Sequence, residues 1–208
     1  MSNSNIINEE STKRIYLLRH GNRRDFRIGE NTNAVPLNSE GKKSSYDLGL
    51  RFNEQKIDVI YSSPIFRCIE TARYFTKGYG KKIPMYSTEI LGGPSIYIHN
   101  IKQAVPVFQQ MSTIQIINSL YEEKKLPGFM NYKLSSSIFL QFLNELPNGN
   151  YLLVSHDIVI ALFTAFCLQK GNASDFNPDF LEGPQLNWLN FDNLLVQFKN
   201  KSNLIKSS

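Results

Sequence analysis

The stretch Ile15-Tyr16-Leu17-Leu18-Arg19-His20-Gly21-Asn22-Arg23 decides how this chain is read. A short apolar run reads as a buried strand, and this one stops at a polar cluster. The same arrangement returns far downstream in Tyr151-Leu152-Leu153-Val154-Ser155-His156-Asp157. Each run carries a histidine to the C-terminal end of a strand, the end where ligands bind in open α/β sheets. The chain has three histidines, and two of them stand in these positions. In the first cluster two arginines flank the histidine. That is a poor recipe for a core and a good one for holding a phosphate, whose oxygens match the guanidinium fork.

Working outward, residues 22–37 combine charges, Gly29, several asparagines and Pro36, and read as a long loop. Asn38-Ser39-Glu40-Gly41 opens a helix with Tyr46, Leu48 and Phe52 on one face. A second strand is expected at 57–61. Ser62-Ser63-Pro64 then gives a serine cap and a first-turn proline, and Ile65, Ile69, Ala72 and Phe75 extend a helix over 63–76. A third strand falls at 83–86 and a loop at 89–94. The stretch 96–130 holds one or two helices, with Ile114, Ile117 and Leu120 sharing a face, and is expected to be an insertion capping the site. A helix over 135–146 turns Ile138, Phe139, Phe142 and Leu143 inward. After the strand at 151–155 come an apolar helix at 158–168 and a late strand at 193–198. Strands alternate with helices, which points to an α/β fold with a mostly parallel sheet. The expected organisation is one domain over 14–200, a flexible N-terminus over 1–13 and a flexible tail over 201–208.

With 208 residues, 41% of them hydrophobic, the chain can bury a substantial core. The net charge of +5 suits an anionic small substrate at least as well as nucleic acid, which favours a denser basic stripe. Cys68 and Cys167 sit in apolar helical patterns as free thiols. Without a signal peptide, a disulfide framework or an apolar run long enough to span a bilayer, the expectation is a cytoplasmic protein away from membranes. No Cys/His spacing supports a zinc site, and P-loop and dinucleotide patterns are absent, so no metal or cofactor is implied. The oligomeric state is open.

A neutral imidazole nitrogen can attack phosphorus and carry the phosphoryl group. The charge on the transferring oxygens then needs fixed cations and donors around it. Arg19 and Arg23 offer two forks, Gly21 lets the backbone come close, and Ser62-Ser63-Pro64-Ile65-Phe66-Arg67 offers a helix N-terminus with Arg67 one turn in. His156 could donate to a phosphate oxygen. Each piece alone has a plainer role, as a solvated arginine, an exposed helical arginine or a capping histidine. His99 reads as a surface histidine, Trp188 as a packing residue, and Arg24 and Asp25 carry no assignment.

Taken together, Leu18-Arg19-His20-Gly21, Leu37-Asn38-Ser39-Glu40-Gly41, the block from Tyr61 to Ala72 and Val154-Ser155-His156 resemble the histidine phosphatase superfamily, the phosphoglycerate mutase and acid phosphatase group. The resemblance covers most of the chain. It implies a phosphoglycerate mutase-like three-layer sandwich. It also implies His20 as the phosphorylated nucleophile and Arg19, Arg23, Arg67 and His156 as the phosphate pocket. The activity implied is metal-independent hydrolysis of phosphomonoesters on a small molecule or a phosphoprotein. The alternatives are a phosphoglycerate-type mutase and a catalytically idle module that binds phospho-ligands or a protein. Two carboxyls compete as proton donor to the leaving group. In the mutase-like branch a glutamate in the region of Glu89 serves; in the acid-phosphatase branch a His-Asp pair such as His156-Asp157 does. Asp157 also suits the first turn of a helix for dipole reasons alone. Glu89 is slightly favoured, because loops from its region line the site in small members. The chain departs from the acid-phosphatase pattern at Asp25, where that group has a proline.

Overall fold

The computed structural model describes residues 12–27, 30–169, 171–190 and 192–206. The chain runs β1 (Lys13–Arg19), α1 (Ser39–Arg51), β2 (Val59–Ser62), α2 (Phe66–Tyr79), β3 (Met85–Ser87), α3 (Ile101–Gln110), α4 (Thr113–Tyr121), α5 (Tyr132–Glu145), β4 (Gly149–Ser155), α6 (Asp157–Leu168), β5 (Gln185–Trp188), β6 (Asn193–Phe198) and β7 (Lys201–Lys206). One sheet holds the strands in the order β3-β2-β4-β1-β5-β6-β7. The pairs β3/β2, β2/β4 and β4/β1 are parallel; β1/β5, β5/β6 and β6/β7 are antiparallel.

Alternation along the strands makes this a three-layer structure, since successive side chains in a strand point to opposite faces. Leu18 of β1 and Leu152 and Val154 of β4 meet Leu48 of α1 and Cys68, Ala72, Phe75 and Tyr79 of α2 on one face. Ile15, Leu17, Tyr151 and Leu153 point the other way, into a larger core built by α3 to α6. Helix α6 is apolar on nearly every side and buried along its length, as a helix wedged between a sheet and other helices must be. No helix among the described residues is long and apolar enough to cross a membrane.

The α/β class and the parallel central block match the reading of the sequence; several details differ. The helix expected over 63–76 is α2, three residues further on. Ser63 does not cap it. Its hydroxyl accepts from Ile65 N–H at 3.2 Å and closes a local turn instead. In α5 the inward residues are Phe139 and Leu143 with Ser135 and Ser136, while Ile138 faces outward. The stretch 96–130 forms α3 and α4, whose buried residues Ala104, Val107, Ile116, Ile117 and Leu120 join the main core.

Both ends of the domain reach further than expected. The tail begins with a strand: a two-residue turn, with Lys199 in the left-handed region at φ 51°, folds Lys201–Lys206 back onto β6. Its Lys-Ser-Asn-Leu-Ile-Lys sequence carries little apolar alternation, which is why it reads as tail. At the other end Lys13 opens β1 and is buried. Its ammonium donates to the carbonyls of Leu143, Asn144 and Leu146 at 2.7, 2.9 and 2.8 Å, closing the C-terminus of α5. The remainder of the expected flexible N-terminus, up to residue 11, lies outside the described residues, as do 207 and 208.

Candidate active site

Three strand ends meet at one edge of the parallel block. Arg19 is in register with Ser155, and Ser62 with Val154. Main-chain bonds carry the alignment one residue further: His20 N–H donates to Ser155 O and Ser63 N–H to Val154 O, both at 3.0 Å. The sheet thus brings His20, Ser63 and His156 together before any side chain chooses a rotamer.

His20 is 3% exposed. Its Nδ1 lies 2.8 Å from the carbonyl of Gly21, which can only accept, so the ring proton is assigned to Nδ1. That leaves the Nε2 lone pair, which accepts from Arg67 Nε at 3.0 Å. The loop holding this histidine packs backbone to backbone against α1. A Cβ on Gly21 would stand 2.7 Å from Ser45 Oγ and 3.0 Å from the Gly41 carbonyl, so only glycine fits without displacement. Gly21 N–H donates to Thr71 Oγ1 at 2.9 Å, and Thr71 donates to the Arg67 carbonyl at 2.8 Å, tying the loop to α2.

Arg67, in the first turn of α2, is the hinge of the cluster. Besides His20, its Nη1 donates to Thr32 O at 2.9 Å and its Nη2 to His156 Nδ1 at 3.2 Å. Because Nδ1 of His156 accepts, the proton sits on Nε2, which donates to Ser63 Oγ at 3.0 Å. The two imidazole rings lie 5.4 Å apart, edge to face. Gly92 presses on the same ring: a Cβ there would come within 2.6 Å of His156 Nε2 and 2.7 Å of Ser63 Oγ.

Arg19 donates from Nη1 to Pro178 O at 2.9 Å and from Nη2 to Asp157 Oδ2 at 2.9 Å. Arg23 donates from Nη1 to Arg24 O at 2.7 Å. The Nε atoms of both arginines are buried and have no hydrogen-bond partner among the described residues. Buried donors left without acceptors are costly, and two of them beside a buried imidazole favour an anion. The electrostatics agree. Burial holds the pKa of His20 well below its usual value, aided by the nearby His156, Arg67 and Arg19 and opposed by the Gly21 carbonyl. Burial also holds His156 well below its usual value, followed by Arg67, Arg19 and Arg23. Both rings are neutral at neutral pH, the state a nucleophile needs.

Of the two carboxyl candidates, Asp157 stands at the start of α6. It touches the cluster through Arg19, and its Oδ1 accepts from Ile158 N–H at 3.0 Å. Glu89 opens the short 3-10 turn after β3. Its side chain is exposed and makes no hydrogen bond or ion pair among the described residues. His20, Arg67 and His156 therefore form one hydrogen-bonded cluster, Arg19 and Asp157 form an ion pair on the residues adjoining the two histidines, Arg23 is held beside its own loop, and Glu89 makes no such contact. Sequence reasoning missed Thr32, Pro178 and Gly92, whose roles are steric or main-chain and leave no side-chain pattern. Thr71 and Ser63 lay inside a recognised block, but as pattern rather than as partners. Phe26 and Phe180 were missed too. Phe180 lies 5.7 Å from the His20 ring and stacks under Arg19, and Phe26 stacks under Arg23.

Residues 15–91, from β1 through the turn after β3, match the sequence model of a known family. It is the histidine phosphatase superfamily, branch 1. The histidine phosphatase resemblance read from the sequence thus holds, and the match contains three of the four blocks that carried it. No curated protein matches the chain. Among solved structures, the fold is similar to a mycobacterial glucosyl-3-phosphoglycerate phosphatase, 15% identical, over 94% of this chain and 99% of that one, with a TM-score of 0.58. It is similar to a phosphoglycerate mutase from Bacillus anthracis str. Sterne, 16% identical, over 95% and 93%, with a TM-score of 0.60. Bacillus stearothermophilus YhfR is 20% identical over 84% and 90%, with a TM-score of 0.59. At such identities the likeness is one of fold, and that fold is the phosphoglycerate mutase-like α/β sandwich of the histidine phosphatases.

Proposed function

We propose that this protein hydrolyses phosphomonoesters through a covalent phosphohistidine on His20. The observation that carries the reading is the fixed tautomer of that ring. The Gly21 carbonyl holds the proton on Nδ1, so Nε2 meets the arginine cluster as a lone pair. In the first step Nε2 attacks phosphorus, the bond to the leaving oxygen breaks, and that oxygen takes a proton from a carboxylic acid. In the second step the carboxylate takes a proton from water, whose oxygen attacks phosphorus. The P–N bond breaks and inorganic phosphate leaves. Arg67 turns its donors from the two histidines to the phosphoryl oxygens, and the unpartnered Nε atoms of Arg19 and Arg23 join it, with His156 as a further ligand.

Asp157 is the proton donor in this reading, supported by its place directly after His156 and beside Arg19, and by the exposed, unengaged position of Glu89. Phosphorylated metabolites and phosphoproteins both remain within the substrate class.

The test is turnover of 4-nitrophenyl phosphate without added metal. The wild type hydrolyses it and His20→Ala does not, and an acid-labile phosphate is trapped on the first only. If the two proteins are equally inactive, the idle binding module is the better account. Delivery of the phosphoryl group to a second substrate's hydroxyl instead of water makes the protein a mutase. With an alkyl phosphate, whose leaving group needs the proton, Asp157→Asn loses most turnover and Glu89→Gln retains it; the opposite pattern makes Glu89 the acid.

A further inference from the structure

Two exposed phenylalanines stand against arginines of the candidate phosphate pocket. Phe26 is 40% exposed and Phe180 is 37% exposed. They come from unrelated segments, Phe26 from the loop after β1 and Phe180 from the connection between α6 and β5. Each stands against different members of the candidate pocket. The Phe180 ring is 5.7 Å from the His20 ring, and the Arg19 guanidinium carbon lies 4.4 Å from its centre. The Phe26 ring has the guanidinium carbons of Arg23 at 3.5 Å and Arg67 at 5.4 Å. Each ring is thus anchored by an arginine of the candidate pocket, which holds it in place by cation–π attraction, while more than a third of it remains open to solvent.

The polar groups around them point away from a second anion on the substrate. Arg24, next along the loop from Arg23, is committed through both Nη atoms to Glu30 and through Nη1 to the Asp25 carbonyl. Asp25 and Asp179 each adjoin one of the two phenylalanines in sequence, and Asp157 pairs with Arg19, which stacks on Phe180. A second anion on the leaving group would add negative charge to a surround that already carries the Asp157 carboxylate. A flat apolar ring would meet an aromatic face or edge at either phenylalanine.

We propose that Phe26 and Phe180 form a leaving-group subsite that selects phosphomonoesters bearing an aromatic ring on the ester oxygen or one carbon from it. The subsite rests on the phosphatase reading of His20 and its arginines, and it adds the substrate class. Aromatic pairs gain about 0.5–1.5 kcal/mol beyond the area they bury, which corresponds to about a two- to tenfold preference over a saturated ring of similar size.

Benzyl phosphate and cyclohexylmethyl phosphate test this, because both release a primary alkoxide and differ mainly in the ring. In the wild type the ratio of their kcat/KM values favours benzyl about two- to tenfold. Phe180→Leu and Phe26→Leu each bring the ratio toward one, and Phe180→Tyr and Phe26→Tyr retain it. A ratio of one in the wild type, or one that survives in the double leucine variant, overturns the subsite while leaving the phosphatase reading in place. Benzylphosphonate and cyclohexylmethylphosphonate, measured by calorimetry on the same proteins, separate the two claims. If no ester turns over and the benzyl ligand still binds more tightly in a Phe-dependent way, hydrolysis falls and the subsite stands. Free phosphotyrosine against a phosphotyrosyl peptide then tells whether the ring comes from a metabolite or from a protein.

Discussion

The end of β1 and the end of β4 are built alike and used differently. Both are apolar strands that stop at a histidine, they pair in register, and both rings are neutral, the first buried and the second half-buried. The histidine after β1 has its ring oriented by the main chain of the next residue, Gly21, and one nitrogen left to accept. The histidine after β4 is oriented by side chains alone, Arg67 on one nitrogen and Ser63, with the Cys68 sulfur at 3.5 Å, on the other. A nucleophile needs one nitrogen with a lone pair aimed at the reacting atom, whereas a ligand needs only a donor nearby. The choice of partner atoms therefore divides two similar strand ends into two jobs.

The largest expected effect breaks this division if it is wrong. His20→Ala lowers kcat by about 10⁴-fold or more, because no other group takes over covalent catalysis. His156→Ala lowers it by about 10²-fold, the cost of one charge-stabilising donor. Steady-state hydrolysis of 4-nitrophenyl phosphate measures both, and equal losses would mean that the histidines act as an inseparable pair. Arg67 bridges the two ends, so its substitution affects both jobs. Arg67→Lys keeps the charge but loses the fork that reaches both rings at once. Its kcat/KM is expected to fall about 10²-fold, with the loss split between KM and kcat; a change in KM alone would assign Arg67 to binding only.

How legible this was follows from the kind of signal each part leaves. Strands β1 and β4 announce themselves, because burial on both faces demands an unbroken apolar run. Arg19, His20 and His156 are legible as strand-end polar residues, and Arg67 as an arginine just inside a helix. Strand β5, Gln185-Leu-Asn-Trp188, is hidden because a four-residue strand of mixed polarity has too few residues to show a period. Strand β7 is hidden because an edge strand with exposed lysines looks like a tail. The partners that divide the histidines' jobs are the Gly21 carbonyl and the Ser63 hydroxyl, while the Thr32 and Pro178 carbonyls hold Arg67 and Arg19. A carbonyl belongs to every residue, so no residue type marks it.

Stability against pH sharpens the comparison at smaller cost. Both folded-state pKa values lie below the unfolded value of about 6.5. The stability that these neutral rings carry is complete above pH 6.5 and is lost as pH falls, because the unfolded chain takes up protons that the folded one refuses. Each ring contributes up to about 1.4 kcal/mol per pH unit below that point. His20→Asn and His156→Asn should each remove one such share from the slope of denaturant stability between about pH 6.5 and 5.5. Burial and the neighbouring arginines act in the same direction on both rings. A slope that neither variant changes would mean that the folded and unfolded chains protonate these rings alike.

The smallest effect bears on the difference most directly. Ser63→Ala removes the hydroxyl that orients His156, at the cost of one hydrogen bond, about 1 kcal/mol. It should raise KM about fivefold and leave the amount of trapped phosphohistidine unchanged, and Ser63→Thr should restore KM. No equivalent variant exists for His20, because its orienting carbonyl belongs to the backbone and survives any side-chain change. If Ser63→Ala lowers the trapped intermediate instead, the ring after β4 shares in forming the covalent bond, and the main-chain hold on His20 does not by itself make a nucleophile.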